Sequence, residues 1–123
     1  MLFRSLPTLL AGFSFGSAMS ARVGVSDPSV AGILLVGAPV RTYSFEELAD
    51  CRKPLAFIQG ARDEHGPVDR LEALVASLRC PTRVVVVPGA GHFFDDEQDE
   101  LRDAVLGILA SGHFGPAFAP PSA

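Results

Sequence analysis

The sequence predicts an α/β protein built on an open parallel sheet of about four strands with flanking helices on both faces. Two observations carry this. Short apolar runs near residues 8–12, 30–36, 55–59 and 83–87 read as strands bounded by Pro and Gly. The intervening stretches are long enough for crossovers, and several show helical spacing, so neighbouring strands are expected to lie parallel.

Taken in order, Leu6 to Ala11 is an apolar lead into the first turn, and small residues (Ser17, Ala18, Met19, Ser20, Ala21) open the helix after it. Val30 to Val36 is almost continuously apolar, as expected for a strand buried on both faces. Leu55-Ala56-Phe57-Ile58-Gln59 is a third strand, opened by Pro54 and closed by Gly60. Val68, Leu71, Leu74, Val75 and Leu78 then form one apolar stripe opposite Asp69, Arg70, Glu72 and Ser77, with Pro67 at the first helical turn. Arg83 to Val87 is β-branched and reads as the fourth strand. A last helix is expected to open near Asp95 or Asp96, where acids suit the positive end of the helix dipole. It carries Leu101, Val105, Ile108 and Leu109 inward and stops by Gly112. The domain is thus expected to occupy residues 1–112, and residues 113–123, rich in Pro, Gly and Ala, to be a loose tail.

Composition narrows the function. With 123 residues, the chain suffices for one domain with one core. A net charge of −4 without a basic stripe argues against a nucleic-acid partner. No apolar run approaches the roughly 20 residues that span a bilayer, so no membrane association is expected. Cys51 and Cys80 share no metal-ligand spacing and are read as free thiols of a reducing, cytoplasmic compartment.

The chemistry sits at the strand ends. Gly12-Phe13-Ser14-Phe15-Gly16 is a G-x-S-x-G turn between a strand and a helix, the setting that exposes a serine hydroxyl on a sharp reversal. A side chain at either glycine is expected to collide with the neighbouring strand or helix. Asp63 follows the third strand, and His92 follows the fourth in Gly89-Ala90-Gly91-His92-Phe93-Phe94. A serine hydroxyl needs a base within reach, a histidine can take and return its proton, and a carboxylate fixes the histidine tautomer. Asp69 and Glu64 are rival acids, and Asp63 also reads as a helix cap. His65 reads as a solvated loop residue, His113 as a tail residue, and Phe93 and Phe94 as packing residues or an acyl-pocket wall.

With these motifs in order, the chain resembles the α/β-hydrolase family over almost its whole length. It looks like the C-terminal half of a compact, dienelactone-hydrolase-like member. The family's nucleophile elbow matches Gly12 to Gly16, its strand-end acid segment matches Gly60-Ala61-Arg62-Asp63, and its histidine loop matches Gly89 to Phe93. The resemblance implies a serine hydrolase with Ser14 as nucleophile, His92 as base, Asp63 behind it and the Phe15 N–H as one oxyanion donor. The substrate class is a carboxylic ester or similar small-molecule acyl compound, and neither metal nor organic cofactor is implied. The segment Gly37 to Pro54 is too short for a large cap domain.

The departures carry weight too. In the family the nucleophile follows the fifth strand of about eight, whereas here it follows the first. The second oxyanion donor ordinarily comes from a loop after the family's third strand, which has no counterpart here. Two expectations follow: Met1 is an internal methionine, a miscalled start or the first residue of a truncated gene product, and the first strand has an open apolar edge prone to self-association. A non-catalytic fragment that pairs through that edge is therefore the alternative from a different class. A third reading takes the first twenty or so residues as a cleaved signal segment, which would remove Ser14.

Overall fold

A computed structural model describes residues 6–121. Four parallel strands lie side by side in sequence order: β1 (Thr8–Phe13), β2 (Val30–Val36), β3 (Leu55–Gly60) and β4 (Thr82–Val87). Three α-helices accompany them: α1 (Phe15–Ser26), α2 (Val68–Ala76) and α3 (Gln98–Ala110). The expected strands are all present and differ only at their ends. Every residue of β3 is buried, which explains why its sequence shows no polar alternation.

The helices divide between the two faces, and so does the core. On one face Ala18 and Ala21 of α1 and Leu71 of α2 pack with Ile33, Leu35, Leu55 and Phe57. On the other, Ile108 of α3 and Phe94 pack with Leu34, Ala56 and Ile58. Odd and even positions of β2 and β3 thus serve opposite layers, as the strand period requires.

Small residues let α1 lie close to the sheet. Ser17, Ala18, Ser20, Ala21 and Gly24 are its buried positions, and a Cβ on Gly24 would fall 2.8 Å from the Ile33 side chain. The helix ends on a cationic cap, because Lys53 Nζ donates to the carbonyls of Gly24 and Asp27 at 2.6 Å each. Cys51 and Cys80 are buried and free.

Four sequence expectations need correction. The last helix starts at Gln98, not at Asp95 or Asp96, because the loop before it must first return across the sheet; Asp99 and Glu100 occupy its first turn instead. Helix α2 ends at Ala76, so Leu78 packs on the first core from beyond the helix. Among the described residues a Cβ on Gly16 meets nothing within 4 Å, so only Gly12 has the steric role expected of both. The residues after Gly112 are not loose throughout: Phe114 is buried in the second core and Pro116–Phe118 form a short 3₁₀ turn. His113 Nε2 also donates to the Leu55 carbonyl at 2.8 Å.

Candidate active site

Ser14 sits at the end of β1 with φ 57° and ψ −121°, a backbone conformation that L-residues with side chains rarely adopt. The turn is over-determined by its neighbours. Ser14 N–H donates to the Val36 carbonyl at 2.9 Å, its own carbonyl accepts the Ser17 N–H at 2.9 Å, and the Ser17 hydroxyl donates to that carbonyl too. A Cβ on Gly12 would collide with the Gly16 carbonyl and the Ser20 hydroxyl, so the chain turns this tightly only with glycine there. Phe15 opens α1, and a first-turn N–H has no acceptor within its own helix.

Asp63 and His92 complete a hydrogen-bonded row. Ser14 Oγ lies 2.8 Å from His92 Nε2, and His92 Nδ1 lies 2.8 Å from Asp63 Oδ2. A carboxylate only accepts, so Nδ1 carries the proton and Nε2 is free to accept the serine hydroxyl. Both His92 and Asp63 are buried. The other carboxylate oxygen, Asp63 Oδ1, accepts the backbone N–H groups of His65 and Gly66 at 2.9 Å each. This cradle fixes the carboxyl plane and satisfies the buried acid.

The remaining candidates separate cleanly. Asp69 and Glu64 are exposed and neither bonds to His92. Phe94 is buried, with φ 53°, and anchors the histidine loop, whereas Phe93 is exposed with its ring 4.9 Å from that of His92. His113 lies elsewhere, on the Leu55 carbonyl. His65 is closer to the chemistry than its sequence suggested: its exposed ring stands 4.6 Å from that of His92. Its proximity to Asp63 in sequence was the only available signal.

Aromatic residues flank Ser14 in the chain and His92 in space. Phe13, Phe15 and Phe93 are all exposed, and Phe13 stands 5.4 Å from the His92 ring. Phe15 meets the edge of Tyr43 at 5.4 Å. Tyr43 in turn lines a cavity of about 490 Å³ with Val40, Phe45, Arg70 and Leu74, which none of Ser14, Asp63 and His92 touches. A second cavity, of about 360 Å³, includes His92 in its wall beside Arg62, Glu64 and His65. This second cavity, although smaller, is the one of the two that reaches the row, through His92.

Comparison with known proteins agrees with this fold. A family model described as an alpha/beta hydrolase domain matches residues 2–105. An alpha-beta serine hydrolase homologue from Coxiella burnetii superposes with a TM-score of 0.76 at 37% identity, over 83% of this chain and 49% of that one. A structure from Xanthomonas campestris, described as an a/b serine hydrolase without a lid, gives a TM-score of 0.76 at 26% identity, over 92% of this chain and 49% of that one. An uncharacterized protein of Mycobacterium tuberculosis is 34% identical over 66% of this chain. The chain spans 36% of that curated relative's length and about half of the solved relatives'.

Proposed function

The chain belongs to the α/β-hydrolase family, and we propose that it is the part of a serine hydrolase that carries the nucleophile, acid and base for cleaving a carboxylic ester or similar acyl bond. The observation that supports this most is the row Ser14 Oγ, His92 Nε2, His92 Nδ1, Asp63 Oδ2, each contact at 2.8 Å. Ser14 Oγ attacks the acyl carbon while His92 Nε2 takes its proton. The oxyanion of the tetrahedral intermediate accepts from the Phe15 N–H, which points out of the N-terminus of α1. As the intermediate collapses, His92 gives its proton to the leaving oxygen and the acyl group stays on Ser14. Water then attacks the acyl-serine, its proton passing to His92 and back to Ser14, and the carboxylic acid leaves. Asp63 stays ionised throughout and stabilises the imidazolium.

The exposed rings of Phe13, Phe15 and Phe93 favour an apolar acyl group at an open site. Between β2 and β3 there is only one 3₁₀ turn, Glu46–Asp50, packed against α1, which favours the lid-free arrangement ascribed to the Xanthomonas relative. The free thiols favour a cytoplasmic setting. No described helix is long and apolar enough to cross a membrane. Labelling with a fluorophosphonate probe tests the proposal: wild type takes the label and Ser14→Ala does not. Equal labelling of both would end it.

One observation favours a second reading, association without catalysis. Among the described residues β1 pairs on one side only, with β2, and beside it Leu10, Met19 and Val23 line a shallow apolar cavity of about 230 Å³. A second strand edge, from a copy of this chain, would satisfy β1. Sedimentation that shows a monomer competent in labelling would exclude this reading.

A further inference from the structure

Gln59 is the one polar side chain of β3, and it is wholly buried. Packing alone would be served better by Leu or Met, because an amide in an apolar layer costs free energy unless each of its groups is bonded. Here they are. Gln59 Oε1 accepts the Ala38 N–H at 3.0 Å, and Nε2 donates to the Ala38 carbonyl at 3.0 Å and to the Gly66 carbonyl at 2.7 Å. One side chain thus joins the loop after β2 to the turn after β3. Gly66 is pressed into this junction, since a Cβ there would collide with the Ala38 carbonyl and Gln59 Nε2.

The same Gly66 donates its N–H to Asp63 Oδ1 at 2.9 Å, while Asp63 Oδ2 faces His92. We infer that Gln59 is a positioning residue: by holding Gly66, it aims the Asp63 carboxylate at His92. The inference rests on the reading of Ser14, His92 and Asp63 as the hydrolytic row. Gln59 touches no reacting atom. It acts through two hydrogen bonds in series, from Nε2 to the Gly66 carbonyl and from the Gly66 N–H to Asp63. Without them the turn keeps the Arg41 N–H on the His65 carbonyl and the Asp63 N–H on the Gly60 carbonyl but loses its tie at Gly66, and a displacement of about 1 Å in such a site costs on the order of 100-fold in rate.

The test uses Gln59→Met, which keeps the volume and removes the bonds, and two readouts. One is the rate at which a fluorophosphonate labels Ser14; the other is the far-downfield proton resonance of the His92 Nδ1–H shared with Asp63. Gln59→Met is expected to slow labelling on the order of 100-fold and to shift or broaden that resonance in a folded protein. Ile33→Val, a core truncation facing Gly24 of α1 and paired with Leu55 at the far end of β3, is expected to change neither. Should Gln59→Met not fold, Gln59→Asn keeps an amide in the site but draws it back from the Gly66 carbonyl by one methylene, and carries the same expectations in direction. An unmoved resonance with wild-type labelling overturns the role of Gln59. Equal labelling of wild type and Ser14→Ala instead overturns the hydrolytic reading, while the resonance still reports whether Gln59 holds Asp63.

Discussion

Ser14 and His92 are 78 residues apart and follow opposite edge strands of the described sheet, yet Ser14 Oγ lies 2.8 Å from His92 Nε2. Three strand spacings separate those edges, about 14 Å. The loop after β4 therefore runs back over the ends of β3 and β2 to reach the serine. It is held there by the Arg62 N–H, which donates to the Ala90 carbonyl at 2.8 Å, and by the buried Phe94. The end of β3 stays low because residue 60 has no side chain: a Cβ there would collide with the Ala90 and Gly91 carbonyls.

Gly60→Ala is accordingly expected to lift the histidine loop off the sheet. Overpacking of this kind costs about 1–3 kcal/mol, and moving His92 by about 1 Å lowers labelling of Ser14 on the order of 100-fold. Urea unfolding and the labelling rate, measured together, check it. Wild-type labelling in the variant would mean that the loop position does not depend on this contact.

Asp63→Asn separates position from charge. The amide keeps an oxygen for the His65 and Gly66 N–H groups, but its NH₂ then faces His92 Nδ1. His92 must accept there, so its proton moves to Nε2 and it can no longer take one from Ser14. Such a tautomer error costs about 10⁴-fold in turnover elsewhere. A similar loss is expected here in labelling rate, with an unchanged circular dichroism spectrum. A loss under tenfold would contradict the proposed role.

The strands and the three polar members of the row were legible because both signals are local. A run such as Val84 to Val87 has few alternatives to a strand, and strand-end loops gather ligands in open parallel sheets. Gln59 was not legible as more than a strand residue, because its partners, Ala38 and Gly66, lie on other loops. The start of α3 was misplaced for a related reason. Asp95 and Asp96 look like helix-opening acids, but the length of the return path across the sheet, which is tertiary, decides where α3 begins. Gly16 was assigned a steric role from its motif, although in the described structure it faces open space.

Phe114 shows how composition misleads. Its neighbours Gly112, Gly115 and Pro116 read as a tail, yet its ring covers Gly32 so closely that a Cβ on Gly32 would fall 2.5 Å from it. Phe114→Ala is expected to cost about 3–5 kcal/mol, the usual range for a buried phenylalanine. A shift in the urea midpoint without a change in slope checks it. A change below about 1 kcal/mol would mean that the segment contributes little to the fold.

Burial pushes the Cys51 thiol above its ordinary value of 9.0, with Cys80 adding to the rise and the Lys53 side opposing it. Folding thus favours the neutral thiol. That contribution is complete below the unfolded-state value and is lost as pH rises through the folded one. Stability is expected to fall more steeply above about pH 9 in the wild type than in Cys51→Ala. Unfolding measured across an alkaline series checks it, and parallel slopes for the two proteins would refute it.

The strained turn at Ser14 offers the sharpest test of what the site costs the fold. With φ 57° and ψ −121°, residue 14 is in a region that glycine enters freely and a side-chain-bearing residue does not. Strain of this kind is worth about 1–3 kcal/mol. Ser14→Ala removes the hydroxyl but keeps the Cβ, and so keeps the strain. Ser14→Gly removes both, at an unfolded-state entropy penalty of about 0.4–1 kcal/mol. Both variants are expected to resist labelling, while Ser14→Gly is the more stable of the two by about 1 kcal/mol, the strain released less that penalty. Because neither carries the hydroxyl, the difference reports the backbone at residue 14. If Ser14→Ala proves as stable as Ser14→Gly or more so, the turn is relaxed and the fold gives up no stability to expose the serine.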